Sequence, residues 1–341
     1  MLRVGLDAWN LGRDRRGIGR YVTSILHAWA IEEPRRVDLV LVVPEWHTVT
    51  VASRYRRAAA PLRATVVSRR RYRRARPDVL WFPFNGPSWL DFDGPSVATL
   101  HDASTFVLPG FDDEARRTFR NAAARCDAIL TDSAFSREEL IRELHLAPER
   151  ITAVHLGVGP ARAAAAGPTE KPFVLFVGET EERKGLGTLV EAMRAVVAAA
   201  PGVGLVIAGK VTGSLPSFDG VEVAVLGHVD DAALQRLYRT ARVLAYPSTY
   251  EGFGLPVLEA MAHGLPVVAS DASGIPEAGG DAAIYVPPSD PSALAAALLR
   301  ALHDEAERAR RIEAGRRRVA EMTWERTARE TLAVLQAASC A

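Results

Sequence analysis

Cysteine and lysine are the scarce residues of this chain. Two cysteines, Cys126 and Cys340, stand in 341 residues, too few for a disulfide framework or a cysteine-rich zinc site. No apolar run approaches the ~18–20 residues that cross a bilayer. Met1-Leu2-Arg3-Val4-Gly5 leads straight into a strand-like run without a signal-peptide h-region. A cytoplasmic protein, soluble or peripheral at the inner face of the membrane, is therefore expected. Net charge is only +1, so no whole-molecule field steers a partner. Of 42 basic residues only Lys171, Lys184 and Lys210 are lysine, and a compact ammonium serves a phosphate differently from a guanidinium. At 48% hydrophobic and 24% charged the chain is ordinarily globular, and its length suits two domains of about 150 residues each.

Strand-like and helical patterns alternate throughout, which predicts parallel sheets covered on both faces. The first half offers strands at Arg3–Asp7, Leu39–Val43, Ala64–Val67, Val79–Phe82, Val97–Leu100, Ala128–Thr131 and Ile151–Val154. Residues 159–172 are small and bounded by Pro and Gly, without a core face, as a linker is. The second half restarts the alternation, ending in a charged helix over about 291–320 and a last amphipathic helix after Thr323. The expected division is an N-terminal domain at 1–160, a linker at 161–171, a C-terminal domain at 172–322 and a terminal helix at 323–341. The fold class is α/β, two doubly wound Rossmann-like domains facing a cleft.

Residues 246–266 carry the most chemistry. A strand-like run breaks at Pro247-Ser248, passes through Glu251-Gly252-Phe253-Gly254, and gives way to a helix opened by Leu255-Pro256 and stopped by Gly264. Glu251 precedes that helix and Glu259 lies on its first turns, beside N–H groups that favour an anion. Hydroxyls at one end and phosphate at the other describe a nucleotide-sugar. The run E-G-F-G-L-P-V-L-E-A-M-A resembles the signature of retaining GT-B glycosyltransferases of the large family 4 (glycosyl transferases group 1), which includes sucrose synthases and bacterial mannosyltransferases. The resemblance implies that Glu251 faces the donor sugar and Glu259 holds the ribose hydroxyls, with Gly252, Phe253, Gly254 and Leu255 lining the donor. It also implies that the terminal helix crosses back onto the first domain.

Gly178 to Leu186 follows a buried strand and opens a helix, and Arg183 with Lys184 makes a compact diphosphate site there; it resembles the family's phosphate loop. Lys210 ends another strand, where ligands gather in open α/β sheets. The loop Leu226–Asp231 resembles the family's loop that touches the nucleotide base mainly through its backbone, which implies Val229 as a neighbour of the base, while Asp230 equally reads as a helix cap. His101, at the end of a strand and before Asp102, resembles the His placed against the transferred sugar. Arg15-Arg16-Gly17-Ile18-Gly19 fails as a dinucleotide fingerprint, because Val22 occupies the third glycine position. Gly17 and Gly19 instead resemble the family's loop near donor phosphate and acceptor. Thr131–Ser136 reads as a strand end and a cap.

Asp91-Phe92-Asp93 is a D-x-D, but Gly94-Pro95 follow at once, which marks a turn. Arg183 and Lys184 supply the charge a metal would, so no essential metal and no cofactor beyond the donor substrate are expected. Residues 54–76 contain ten arginines and no acid. They read as a solvated helical face, or as contact with an anionic acceptor or a membrane surface; no nucleic-acid module is recognisable. The resulting expectation is a retaining, metal-independent transferase moving a sugar from a nucleoside diphosphate to a hydroxyl of a glycan, lipid-linked or small-molecule acceptor. The Arg183-Lys184-Gly185 form resembles mannosyltransferase-like members and leans toward GDP-mannose. The alternatives are an epimerase or phosphorylase of the same fold, and a non-catalytic nucleotide-sugar-binding subunit.

Overall fold

The computed structural model describes residues 1–11, 17–33, 35–45, 57, 59, 60, 62–159 and 171–340. Arg15 and Arg16 of the glycine loop, Arg54, Tyr55 and Arg56 of the basic segment, and 160–170 of the linker lie outside the described residues. The chain divides into two compact units, Met1–Gly157 with Thr323–Ala341, and Val158–Met322.

In the N-terminal unit the strands are β1 (Leu2–Asp7), β2 (Val37–Val43), β3 (Ala64–Ser68), β4 (Val79–Phe82), β5 (Ser96–Thr99), β6 (Ala128–Thr131) and β7 (Ile151–Ala153). They form one parallel sheet in the order β3-β2-β1-β4-β5-β6-β7. The second unit repeats the plan with β8 (Phe173–Val177), β9 (Gly204–Ala208), β10 (Val223–Gly227), β11 (Val243–Tyr246), β12 (Val267–Ser270) and β13 (Ile284–Val286), ordered β10-β9-β8-β11-β12-β13. Central strands such as Val243–Tyr246 and Val267–Ser270 are buried at every residue, because helices cover both faces. Strand order reverses between β1 and β4, and again between β8 and β11. In such sheets the crevice beyond the carboxyl ends at these two points is where ligands bind.

Helix Leu186–Ala199 buries Leu186, Leu189, Val190, Met193 and Val196, a stripe at three-to-four-residue spacing. These side chains share one core with Leu294 and Leu298 of helix Pro291–His303. Gly185 opens the first of these helices at φ 70°, and a Cβ there would lie 2.2 Å from the Pro247 carbonyl oxygen. Only glycine lets the loop after β8 and the loop after β11 come this close.

The last helix, Trp324–Ser339, belongs to the N-terminal unit. Trp29 Nε1 donates to the Ala328 carbonyl at 2.8 Å and Thr327 Oγ1 to the His155 carbonyl at 2.8 Å. Two expectations need correction. The single charged helix over 291–320 is two helices, Pro291–His303 and Glu305–Glu321. Asp304 ends the first and caps the second, accepting from the Glu307 N–H at 2.9 Å, a side-chain bond that competes with continued helix. The basic segment is not one helical face either: within its described part Arg57 and Ala59 are helical, β3 follows, and then come the 3-10 turn Arg69–Arg71 and the one-turn helix Tyr72–Ala75.

Candidate functional site

The reversal point of the C-terminal unit gathers most of the expected residues. After β8 the chain runs through Gly178 into a single 3-10 turn, Glu182–Lys184. Thr180 ties this loop to the one after β9. Its N–H donates to the Lys210 carbonyl at 3.1 Å. Its hydroxyl donates to the Thr212 carbonyl at 2.9 Å and accepts from the Thr212 N–H at 2.8 Å. Gly209 makes the approach possible, since a Cβ there would sit 1.8 Å from the Gly178 carbonyl oxygen. The Lys210 side chain is exposed.

Lys184 Nζ lies 2.6 Å from Glu251 Oε1, and an Arg183 terminal nitrogen lies 3.4 Å from Glu251 Oε2. The same nitrogen donates to the Tyr250 carbonyl at 2.9 Å, and Arg183 Nε donates to Glu181 at 2.7 Å. Thr249 N–H donates to the Arg183 carbonyl at 2.7 Å, stitching the two loops together. Glu251 is only 9% exposed. Burial alone would raise its pKa, but the adjacent Lys184 and Arg183 charges and the Lys184 hydrogen bond outweigh it and hold the carboxyl below its ordinary value. Burial and then the Glu251 charge push the Tyr246 phenol well up, so it stays neutral beneath the pair.

The Glu251 backbone is pinned as well. Its N–H donates to Ser273 Oγ at 2.8 Å and its carbonyl accepts from the Gly274 N–H at 3.1 Å. Ser273 holds a left-handed φ of 53°, an unusual conformation for a side-chain-bearing residue and one concentrated at functional sites. Gly252, Phe253 and Gly254 lead from Glu251 into the helix Leu255–Ala262, with Phe253 buried. Glu259, half-buried on that helix, accepts from the Tyr238 hydroxyl at 2.9 Å. Val229 is half-buried in the loop after β10, and Asp230 beside it caps helix Asp231–Thr240 by accepting from Ala233 N–H at 2.7 Å.

His101, Gly17 and Gly19 lie in the other unit. His101 Nδ1 is 2.9 Å from Asp132 Oδ2, and Nε2 is 3.0 Å from the Pro83 carbonyl oxygen. A carboxylate and a carbonyl accept, so these contacts favour hydrogen on both ring nitrogens. Burial opposes the charge this brings, but Asp132 and the two hydrogen bonds raise the His101 pKa. Gly17 opens helix Gly17–Glu32 at φ 37° and Gly19 is buried on it. Two residues on, Tyr21 presents its ring edge-on to His101 at 4.9 Å between centroids. Asp132, read from the sequence as part of a strand end and cap, is thus also the partner of His101. Its signal was its place at the carboxyl end of β6, next to the strand that ends before His101.

Asp91 and Asp93 are engaged by protein groups. Arg73 reaches both, at 3.1 and 2.9 Å, and the Tyr72 hydroxyl donates to Asp93 at 2.6 Å. Among the described residues no cluster of three or more His, Cys, Asp or Glu is placed to hold a metal. In the basic segment, Arg69 points inward to Ser88, at 2.5 Å, and lies over the Trp89 ring. Arg63, Arg70, Arg71, Arg73, Arg74 and Arg76 are exposed. No described helix is long and apolar enough to cross a membrane.

A buried carboxylate held by two cations at the reversal point of a doubly wound sheet can place a dianion and a hydroxyl side by side. The chain is 29% identical over 262 residues to the O-antigen chain mannosyltransferase B of Escherichia coli, a match covering 70% of this chain and 69% of that protein. A sucrose-phosphate synthase from Thermosynechococcus elongatus has the same fold, with a TM-score of 0.70 at 22% identity over 98% of both chains. So does Anabaena HepE in complex with UDP and glucose, with a TM-score of 0.71 at 16% identity over 99% of this chain and 100% of that one. The family model described as glycosyltransferase family 4 matches residues 15–162, and that of the glycosyl transferases group 1 matches 160–318. Together they run from residue 15 to residue 318, and the chain belongs to the group 1, family 4 glycosyltransferases of the GT-B fold.

Proposed function

We propose that the protein is a retaining, metal-independent glycosyltransferase that uses a nucleoside diphosphate-sugar, with GDP-mannose the favoured donor. The observation that carries this is the Arg183–Lys184–Glu251 cluster at the β8/β11 reversal point. Arg183 and Lys184 receive the diphosphate, Glu251 the sugar hydroxyls and Glu259 the ribose. Gly252 to Leu255 line the donor, Val229 neighbours the base, and Lys210 adds charge at the phosphate end. His101, as a catalytic residue against the transferred sugar, and Gly17 and Gly19, in the loop near donor phosphate and acceptor, enter through the family resemblance alone.

In the reaction the bond from the sugar C1 to the β-phosphate oxygen breaks, and C1 bonds the acceptor oxygen on the same face. The departing phosphate takes the proton that the acceptor hydroxyl gives up, so the products are a glycoside and a nucleoside diphosphate. Charge on that phosphate grows through the transition state, where fixed cations act most strongly. Metal independence rests on those two cations and on the commitment of Asp91 and Asp93 to Arg73 and Tyr72. Support for the donor comes from the mannosyltransferase relative; the UDP and glucose of the HepE complex make UDP-glucose the competitor. The exposed arginines of 63–76 are proposed to face an anionic acceptor at the cytoplasmic side of a membrane.

Thermal-shift titration with GDP, UDP, GDP-mannose and UDP-glucose tests this, followed by product mass in EDTA with an acceptor library. Stabilisation by GDP-mannose and an EDTA-resistant product of donor-sugar mass are expected. Stabilisation by UDP-glucose alone replaces the donor. Activity restored only by Mn²⁺ or Mg²⁺ replaces metal independence, and no response to any nucleotide removes the proposal.

A further inference from the structure

The helix Asp231–Thr240 starts directly after the loop that holds Val229, and Tyr238 sits on it with 2% of its surface exposed. A buried phenol needs a hydrogen-bond partner. Tyr238 donates to Glu259 Oε2 at 2.9 Å, across to a different helix. The contact has a second support. His263, at the end of the Glu259 helix, stacks on the Tyr238 ring, with centroids 5.4 Å apart and planes at 26°. His263 Nδ1 lies 2.8 Å from the Glu259 backbone carbonyl, which can only accept, so Nδ1 donates. Its Nε2 is buried with no hydrogen-bond partner among the described residues. A polar nitrogen left unpaired works against this placement, which leaves the stack and the Glu259 carbonyl as the contacts that hold the ring there.

We propose that Tyr238 is a positioning residue for Glu259. It fixes the rotamer of the carboxylate, and it ties the helix that follows the Val229 loop to the group proposed to bind ribose. The proposal rests on the ribose role of Glu259. A long carboxylate side chain that must be ordered only on binding weakens the complex, and holding it beforehand removes that penalty. Tyr238 touches no nucleotide in this scheme; it acts through Glu259.

Calorimetry with GDP and UDP, and with their 2′,3′-dideoxy counterparts, separates this from a general structural role. Tyr238→Phe, which deletes one oxygen and keeps the ring, should weaken GDP and UDP about 3- to 10-fold, the range for immobilising one flexible side chain. It should leave the dideoxy nucleotides unchanged, which shows on the same sample that the site is folded. Combined with Glu259→Ala it should add no further loss. Equal GDP binding in wild type and Tyr238→Phe, equal losses for GDP and dideoxy-GDP, or additive losses in the double variant each overturn the positioning role. A Glu259→Ala variant that binds GDP as tightly as wild type overturns the ribose reading itself, and this proposal with it.

Discussion

Lys184→Met keeps the length and apolar stem of the side chain and deletes its charge. Of the two cations that hold it, Glu251 then keeps Arg183, at 3.4 Å, in a setting where its side chain is 11% exposed. At an effective dielectric near 20, a pair at the 2.6 Å separation of Lys184 and Glu251 attracts by about 6 kcal/mol. Much of that offsets the desolvation of both groups, and removing one partner of such a pair typically costs about 3–5 kcal/mol. Urea unfolding at pH 7 should therefore show a loss of that order for Lys184→Met and for Glu251→Gln. The double variant should lose clearly less than the two added together. The sign of the pH dependence should also reverse. With its pKa lowered in the folded state, wild-type Glu251 stabilises above its unfolded value of 4.5, and this is lost as pH falls through the folded value. Without Lys184 the burial penalty gains weight, so the deficit of the variant should shrink toward acid. Turnover should vanish in all three variants, the rescued double included, because stability and phosphate charge are separate requirements. Single variants within 0.5 kcal/mol of wild type, or fully additive losses, would refute the pairing; a folded Lys184→Met with wild-type kcat would refute the phosphate role.

Glu259→Ala should weaken free nucleoside diphosphate by roughly 10- to 150-fold, the equivalent of ~1.5–3 kcal/mol for a charged hydrogen bond, whereas Glu251→Ala should leave it nearly untouched and abolish transfer; calorimetry with the reverse pattern exchanges the two roles. Asp7 is raised from 3.8 to about 6, chiefly by burial, so its contribution is fully present below about pH 4 and is lost as pH rises through about 6, by roughly 3 kcal/mol. Asp7→Asn should flatten the stability profile over that window, and an unchanged slope in denaturant midpoints would show that Asp7 does not titrate there. Neutralising Arg70, Arg71, Arg74 and Arg76 should weaken sedimentation with anionic vesicles at low salt, each arginine contributing about 1 kcal/mol near such a surface. Equal sedimentation of variant and wild type would leave those arginines as a solvated face.

The sequence carried the fold because each strand announces itself locally. Buried runs such as Val243–Tyr246 are apolar at every position, and the turns that end them carry glycine or proline. It also carried Glu251, Arg183 and Lys184 through local spacing. It did not carry their partnerships. Lys184 and Glu251 are 67 residues apart, Tyr238 and Glu259 are 21 apart, and His101 and Asp132 are 31 apart. Only strand order brings each pair together, and strand order is not written in any one segment. The missed helix break is different, for its signal was local. Asp304 followed three residues later by Glu307 has the spacing of a helix start, hidden inside a run of charge that reads as continuous helix.

The two units share a strand order, and each buries a carboxylate near its reversal point: Asp7 at the end of β1 and Glu251 just after β11. Burial acts on both in the same direction, so the opposite outcomes must come from the neighbours. Glu251 has two cations, at 2.6 and 3.4 Å, and is lowered. Among the described residues Asp7 has one, Arg69, at 4.0 Å. The Ser88 hydroxyl and N–H, at 2.5 and 3.1 Å, stand in for the rest. Neutral donors at such distances are weaker than a second charge in contact, and Asp7 ends up raised to about 6. Two carboxylates near equivalent reversal points, on different strands, thus give an anion in one unit and a carboxyl that changes charge between pH 4 and 7 in the other. Distance to the cation tips the balance: at an effective dielectric near 20, moving a charge from 2.6 to 4.0 Å forfeits about 2 kcal/mol, and desolvation then outweighs the attraction.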